Sequence, residues 1–480
     1  MPRRVLRVLS ADGDTLQRGI ATIQQEIGIT PAFPAPVEAA AERAAKSPRL
    51  PDLDRTDIPF VTIDPAGSMD LDQALHIARD GDGYIVHYAI ADLAAFITPG
   101  DPVDEEANRR GETLYGADAT IPLHPTVLSE GAASLLPDQV RPALLWTTKV
   151  DATGEGTDVN VVRARVKSTA KLDYESLQKQ YDAGQADDMI TLLKEVGELR
   201  GKREAARGGV SLPLPEQQID VHGEVWTLTF RSLLPVEEWN SQISLLTGFG
   251  AASLMVYARV GILRTLPPPD PRDVQRLHRT AKALRIDWPA EQLYPDFIRS
   301  LDPTKPNHAA MVTACTRLLR GSGYVGFNGE VPSQPEHAAL ASEYAHVTAP
   351  LRRLVDRYAG EICVALCTGD DVPQWVLDKL HAVPETMSES DRMAHRYEHA
   401  VLDLVEAGVL TKQVGNSFSG VVVQVDDQNA EHGEVVIQEP AIEASVSSDK
   451  PLPLGTDVTV KLTQADITQR LVRFTLVDPA

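Results

Sequence analysis

The chain has 480 residues, with 43% hydrophobic and 24% charged side chains and a formal net charge of −22. This length is too great for one ordinary core, so we expect two to four domains, and the composition excludes a disordered chain. The sequence lacks the run of about 18 apolar residues that a membrane span requires. Its three cysteines, Cys315, Cys363 and Cys367, favour core positions in a reducing compartment. We therefore expect a cytoplasmic protein without a membrane partner.

Residues 1–50 predict a small helical region. Segments 13–28 and 34–47 have the start signals and composition of short helices, and a Pro-rich break separates them. The pair is compatible with a degenerate helix-turn-helix or with packing against the next domain. We favour a role facing nucleic acid.

Residues 51–412 predict an α+β domain, in which a mixed sheet is packed with helices. Short strands come first, including a hairpin over residues 141–168. Helical patterns follow over residues 241–261, 270–284, 352–366 and 391–410. Residues 413–480 differ again, because about five short strands in about 65 residues are typical of a small barrel of the OB type.

Three aspartates stand close together in the segment TIDPAGSMDLDQAL, residues 62–75. Asp64 ends a predicted strand, and Asp70 and Asp72 would share one face of an extended segment. Three carboxylates at close quarters repel one another unless cations occupy the site. Oxygen ligands without cysteine favour Mg²⁺, with Mn²⁺ as a substitute, and a pair of such ions commonly hydrolyses phosphodiesters.

Two other interpretations of this segment fail, and a third stays open. An EF-hand loop starting at Asp64 fails, because Met69 and Leu75 stand where Gly and Glu are required. An aspartyl-phosphate phosphatase would place the DLD sequence directly after a buried strand, whereas PAGSM precedes it here. A surface loop with turn and capping aspartates stays open, and spacing alone does not separate it from a metal site.

The net charge argues at first against a nucleic-acid partner, since phosphate binding is driven by Lys and Arg. Basic residues nevertheless cluster at 163–171, 200–209 and 349–357. These clusters are compatible with a local basic channel or with solvated faces.

Several motifs in one order resemble the RNase II/RNase R (RNB) family of 3′→5′ exoribonucleases. Residues 60–75 are similar to its T-I-D…D-x-D-D-A signature, and AIADLAAF and RRGETLY are similar to its H-I-A-D and R-G-x-S-x-Y segments. IPLHPTVLSEGAASLLP and YAHVTAPLRRLVDR resemble two later blocks of the family, and the tail resembles its S1 RNA-binding domain. The resemblance covers residues 51–480 and implies an RNB catalytic domain over 51–412 and an S1 domain over 413–480.

The resemblance implies roles for particular residues. Asp64, Asp70 and Asp72 match the catalytic and metal-binding aspartates, and the family's fourth acidic position falls on Gln73, which offers a carbonyl oxygen but no charge. Arg352 matches the first arginine of the P-I-R-R element and would stabilise transition-state charge. The implied substrate contacts are Tyr115, Tyr174, Arg353 and Glu398.

Arg352 also has a local argument. Pro350 suits the first turn of a helix with apolar residues at helical spacing, and a guanidinium at that helix start can grip phosphate oxygens. An arginine at a helix start is otherwise commonly just solvated.

We therefore expect a processive, Mg²⁺-dependent 3′→5′ exoribonuclease that hydrolyses single-stranded RNA with a free 3′ end to nucleoside 5′-monophosphates by a two-metal mechanism, and we expect a monomer. The alternative is an RNA-binding regulator whose RNB domain is catalytically weakened at Gln73.

Overall fold

The computed structural model describes residues 13–117, 119–222 and 225–477. Its helices are α1 (Gly13–Ile27), α2 (Ala35–Lys46), α3 (Pro102–Arg110), α4 (Tyr174–Asp182), α5 (Asp188–Arg207), α6 (Pro235–Ala258), α7 (Pro271–Ala283), α8 (Tyr294–Arg299), α9 (Pro306–Cys315), α10 (Leu354–Thr368), α11 (Gln374–Leu377) and α12 (Ala382–Leu410). Its strands are β1 (Phe60–Asp64), β2 (Gln73–Asp80), β3 (Gly83–Ala91), β4 (Leu114–Tyr115), β5 (Thr120–Ile121), β6 (Val140–Val150), β7 (Gly156–Asp173), β8 (Glu216–His222), β9 (Val225–Arg231), β10 (Val260–Thr265), β11 (Gly323–Asn328), β12 (Glu336–His337), β13 (Ser342–Glu343), β14 (Ser417–Val425), β15 (His432–Ile437), β16 (Ile442–Ser447), β17 (Asp457–Asp466) and β18 (Leu471–Leu476). In the part of the chain described, no helix is long and apolar enough to cross a membrane.

A closed five-stranded barrel, in the order β1-β2-β3-β6-β7, forms the centre of the larger body. Its neighbouring strands are antiparallel except where β1 meets β7 in parallel and closes the barrel. Helices α6 and α10 pack against this barrel and against each other. Trp146 and Tyr88 from the barrel strands lie in the same buried core as Tyr358 of α10. The barrel thus provides a rigid support for side chains at its strand ends.

The N-terminal helices pack on different parts of the molecule. Leu16, Ile20 and Ile23 of α1 lie in one core with α12. Val37 and Ala41 of α2 lie in another core, against α3 and a π-helical turn at residues 128–132. The buried faces of both helices are thus used for intramolecular packing, and residues 1–12 of the predicted helical region lie outside the described residues.

A second closed barrel, in the order β14-β15-β16-β18-β17, ends the described chain. Its strand β14 packs on α9, and β17 and β18 pack on α12. This five-stranded barrel and the mixture of helices and strands before it confirm the predicted α+β fold class. The boundaries proposed at residues 50 and 412 stay predictions.

One helix start was predicted wrongly. Helix α10 begins at Leu354, so Pro350 and Arg352 precede it instead of forming its first turn. Arg353 has extended backbone angles, and the Arg352 carbonyl accepts a hydrogen bond from the Thr113 N–H. This long-range hydrogen bond occupies the Arg352 carbonyl, which would otherwise accept a hydrogen bond within a helical turn.

Candidate active site

Asp64 is the last residue of β1, and the closure of the barrel determines its neighbours. In the parallel pairing of β1 with β7, Asp64 lies opposite Asp173. The Asp173 side chain accepts a hydrogen bond from the Ser176 N–H and so caps α4. Tyr174, the first residue of α4, therefore stands beside the end of β1. Its hydroxyl accepts a hydrogen bond of 2.9 Å from the Asn240 side chain on α6.

The segment that carries Asp70 and Asp72 is irregular, because β2 begins only at Gln73. Strand β2 therefore does not include the two aspartates, and the expectation that they share one face of an extended segment stays a prediction. Ser134 holds the segment instead: its hydroxyl accepts a hydrogen bond from the Leu71 N–H and donates one to the Met69 carbonyl. The two aspartates consequently differ in burial, with Asp70 partly exposed and Asp72 buried.

Asp72 joins the acidic segment to the segment that carries Arg352. Its Oδ1 accepts a hydrogen bond of 2.7 Å from the Leu351 N–H. Its Oδ2 lies 3.9 Å from Nε of Arg352. Burial raises the pKa of Asp72 well above its ordinary value, against the lowering effects of Arg352 and of the Leu351 N–H.

The three carboxylates interact electrostatically. Burial, followed by repulsion from Asp70, raises the pKa of Asp64 to about 6. Burial also raises the pKa of Asp70. The Asp64 Oδ2 atom is buried without a hydrogen-bond partner. Like charges with an unsatisfied carboxylate oxygen are an environment that a divalent cation would relieve.

These residues fit a hard divalent cation only together with other oxygen ligands. Among the described residues, no three His, Cys, Asp or Glu side chains converge closely enough to hold a metal ion by themselves. Mg²⁺ usually keeps several waters and takes one or two carboxylates together with substrate phosphate oxygens. Asp64 and Asp70, with Asp72 beside them, suit that mode of binding.

Arg352 is central to this group. Its positive charge opposes the burial that raises the pKa values of Asp64, Asp70, Asp72 and Tyr115, so one guanidinium lies within electrostatic range of all four side chains. The Arg352 side chain is 44% exposed and can reach a ligand.

A cleft of about 250 Å³ opens beside Asp70. Tyr115, which is 44% exposed, lines it together with Thr113, Ser129 and Leu351. An exposed ring beside a carboxylate cluster offers a stacking surface that any base can use. The structure thus brings together Asp64, Asp70, Asp72, Arg352, Tyr115 and Tyr174.

The other three predicted site residues interact with protein groups outside the aspartate cluster. The Gln73 side chain is bonded to Thr348 and Tyr88. Arg353 forms a two-bond ion pair with Asp356, at 2.5 and 2.9 Å. Glu398, on α12, acts electrostatically on Glu112, and its own carboxyl is influenced by His395, His399 and Asp391.

Two residues that hold the site, Ser134 and Asp356, were not among the predicted site residues. Asp356 also accepts a hydrogen bond of 2.8 Å from the Ala349 N–H, so it fixes the segment before Arg352. Both residues lie inside blocks that carry the family resemblance. The motifs could have pointed to both residues, but they do not show which main-chain groups the two side chains bind.

Comparisons with known proteins identify the families that match this chain. The RNB domain family matches residues 53–368, and the RNase II-type exonuclease C-terminal S1 domain matches residues 416–477. The Exosome complex exonuclease RRP44 homolog A of Arabidopsis thaliana is 25% identical over 355 residues, which are 71% of this chain and 37% of that protein. The chain thus spans well under half of that relative's length.

Solved structures share the fold. RNase R of Mycoplasma genitalium, in complex with ribose-methylated single-stranded RNA, superimposes with a TM-score of 0.85 at 20% identity, covering 97% of this chain and 78% of that one. Yeast Ssd1, described as a pseudonuclease, gives 0.71 at 14% identity over 90% of this chain and 55% of its own. The match over residues 53–368, with the clustered aspartates at its barrel end, shows that the chain belongs to the RNB family of ribonucleases.

Proposed function

We propose that the chain is a processive, Mg²⁺-dependent 3′→5′ exoribonuclease that degrades single-stranded RNA to nucleoside 5′-monophosphates. The observation that carries this proposal is the close grouping of Asp64, Asp70 and Asp72 with the half-exposed guanidinium of Arg352. Carboxylates that can hold a hard cation, beside a cation that can hold a phosphate, form the charge pattern that phosphodiester hydrolysis requires.

The carboxylates and Arg352 would have separate roles in this reaction. A divalent cation, when bound, would polarise the scissile phosphate and lower the pKa of a coordinated water. Asp64 and Asp70 would hold that cation. Arg352 would stabilise the extra negative charge of the transition state through its guanidinium, because its side chain is partly exposed.

The aromatic residues would position the 3′ end. Tyr115 offers an exposed ring beside the cleft at Asp70, which suits stacking on a terminal base of any identity. Tyr174 stands beside Asp64, with its hydroxyl held by Asn240. Such contacts fix the reacting phosphate without reading sequence.

An RNA-binding protein without catalysis is the competing function. The likeness to a pseudonuclease means that the fold alone does not imply activity. The presence of all three aspartates and Arg352 favours the enzyme.

The test uses 5′-labelled poly(A) incubated with the full chain in the presence of Mg²⁺, Mn²⁺ or EDTA. We expect stepwise shortening with release of mononucleotides, which EDTA and an Asp72→Asn variant abolish. An Asp80→Asn variant, altered at an exposed position at the end of β2, is the matched control and should keep full activity.

A second substrate with a 3′-phosphate tests the end preference, and its degradation should be slowed. Unchanged RNA that still shifts in a binding assay would refute the enzyme and support the regulator. Activity that survives in Asp72→Asn would place the chemistry elsewhere.

A further inference from the structure

Gln73 occupies the position at which the family resemblance implies a fourth acidic metal ligand, yet both ends of its side-chain amide are bonded within the protein. Nε2 donates a hydrogen bond of 2.8 Å to the Thr348 carbonyl. Oε1, the atom that would ligate a metal, accepts a hydrogen bond from the Tyr88 hydroxyl. Tyr88 is buried in the barrel on β3, so this donor cannot turn to solvent.

The carbonyl that Gln73 holds begins the segment Thr348–Arg352, and neighbouring bonds hold the rest of that segment. The Ala349 N–H donates to Asp356, the Leu351 N–H donates to Asp72, and the Arg352 carbonyl accepts from the Thr113 N–H. Arg352 itself has a half-exposed side chain whose nearest carboxylate oxygen is 3.9 Å away. The position of its guanidinium therefore depends on how firmly the main chain of this segment is held.

A neutral amide suits these contacts better than a carboxylate would. A carboxylate at position 73 could accept from Tyr88, but it could not donate to the Thr348 carbonyl. It would also add a fourth negative charge to a partly buried acidic group. With Gln73, the cluster has three carboxylates, and Oδ1 of Asp72 already accepts the Leu351 N–H. Three carboxylates carry three negative charges, fewer than the four positive charges of two divalent cations, and Arg352 adds a positive charge beside them.

We infer that Gln73 is a positioning residue that fixes the Arg352 segment, and that the acidic cluster binds one divalent cation instead of two. The inference concerns the site of the proposed nuclease and therefore rests on that function. Its consequence is that the guanidinium of Arg352 carries a larger share of the charge stabilisation than it would beside two metal ions.

The first test is the number of Mn²⁺ ions bound by the full chain without RNA, counted by electron paramagnetic resonance titration. We expect one ion per chain, lost in Asp64→Asn. Two ions in the wild-type protein would overturn the inference even if RNA hydrolysis proceeds as proposed. One ion in a chain without nuclease activity would uphold the stoichiometry and refute only the proposed function.

The second test separates positioning from ligation with Gln73→Ala and Tyr88→Phe. If Gln73 is a positioning residue, the Kd for Mn²⁺ in both variants should stay within about threefold of the wild-type value. The kcat of Gln73→Ala should fall on the order of 10- to 100-fold, with KM unchanged. Hydrogen exchange at Ala349 and Leu351 should rise in Gln73→Ala, and this readout does not require activity. A Kd for Mn²⁺ that weakens tenfold or more in Gln73→Ala, or tightens in Tyr88→Phe, would make Gln73 a ligand and overturn the inference.

Tyr88→Phe is also the variant that is expected to fold like the wild type. It removes one hydroxyl from a buried ring of the same shape, so the barrel should keep its thermal midpoint. Its kcat should fall less than that of Gln73→Ala, because the bond to the Thr348 carbonyl is kept. An unchanged kcat in Gln73→Ala with a folded chain would refute the positioning role.

Discussion

Arg352 differs from the two arginines that follow it in how its charge is used. Nε of Arg353 is 2.5 Å from Asp356, and Nη1 of Arg357 is 2.5 Å from Asp104. Their side chains are 16% and 3% exposed, compared with 44% for Arg352. Arg353 and Arg357 are therefore held in buried ion pairs, whereas Arg352 is available to a ligand.

The substitutions Arg352→Lys and Arg353→Lys should therefore have different effects. Arg352→Lys keeps the charge but loses the two-pronged donor, so we expect kcat to fall roughly 100-fold with little change in thermal stability. Arg353→Lys loses one of two bonds to a buried carboxylate and should lower stability instead. Steady-state kinetics and thermal melts of both variants check this, and a stable but inactive Arg353→Lys together with an active Arg352→Lys would reverse the assignment.

Asp64 gives a prediction that does not require catalysis. Its buried, unpartnered Oδ2 and its raised pKa, about 6, mean that its charge costs stability when no cation is bound. Millimolar Mg²⁺ should raise the melting temperature, since a ligand bound at about 100 times its Kd stabilises by roughly 2.7 kcal/mol. Asp64→Asn should melt at a higher temperature than the wild type without Mg²⁺ and should lose the Mg²⁺ effect. A Mg²⁺-induced shift of equal size in Asp64→Asn would contradict this site.

Among the elements, the segment between β13 and α10 shows how far the sequence could predict the site. Helical spacing after Leu354 predicted α10, because that pattern is local. The conformation of Thr348–Arg353 was not predictable, because its bonds go to residues far away in the chain. Gln73, for example, is 275 positions from Thr348.

The barrel shows the same division. Its strands and the β6–β7 hairpin follow from alternation and turn residues. Its closure by the parallel pairing of β1 with β7 does not follow from any local pattern, and it is this pairing that puts Tyr174 beside Asp64. The grouping of the aspartates with Arg352 and Tyr115 was therefore foreseen through the family resemblance, whereas their spacing alone left a surface loop open.

The linker between α1 and α2 depends on one buried arginine. Arg110 donates to the carbonyls of Thr30, Pro31 and Ala32, and its guanidinium lies 3.7 Å from the ring centre of Phe33. It also donates to the Pro122 carbonyl, just after the β4–β5 hairpin that carries Tyr115. Arg110 thus ties the N-terminal region to the candidate site.

We expect Arg110→Gln to release this linker. The substitution leaves several carbonyls without a charged donor and should cost about 1–3 kcal/mol locally. Limited proteolysis should then cut between residues 28 and 34, where the wild-type chain resists. Arg109→Gln is the matched control, because Arg109 bonds to the same Glu106 carboxylate from an exposed position. Equal cleavage of both variants would show that the linker is held by other contacts.

For the molecule as a whole, the C-terminal barrel is better suited to packing than to attracting RNA by charge. Residues 417–476 carry nine Asp and Glu against four Lys and Arg, a balance that disfavours phosphate binding. The barrel contacts α9 and α12 and also the β8–β9 hairpin, where the Ala441 N–H donates to the Leu228 carbonyl. It thereby contacts three separate elements of the larger body.

Glu406 lies where these parts meet. It is buried on α12 and accepts hydrogen bonds from the Gln217 side chain on β8 and from the Glu443 N–H on β16. Burial is the largest influence on its carboxyl and raises its pKa to about 8, to which the nearby Asp403 and Glu443 carboxylates add. The folded state therefore favours the protonated form of Glu406.

The sign of the resulting pH dependence follows from proton uptake. Between the ordinary glutamate pKa, about 4.5, and the folded value, about 8, the folded chain keeps a proton that the unfolded chain has released. Glu406 therefore contributes full stability at low pH, and this contribution is lost as the pH rises to about 8. We expect the melting temperature to fall over this window.

In Glu406→Gln the fall should be smaller, because the amide carbonyl keeps both hydrogen bonds without ionising. Glu389→Gln, at an exposed position of α12, should melt like the wild type at each pH. If Glu406→Gln instead follows the wild-type pH profile, the ionisation of Glu406 is not the cause of the pH dependence.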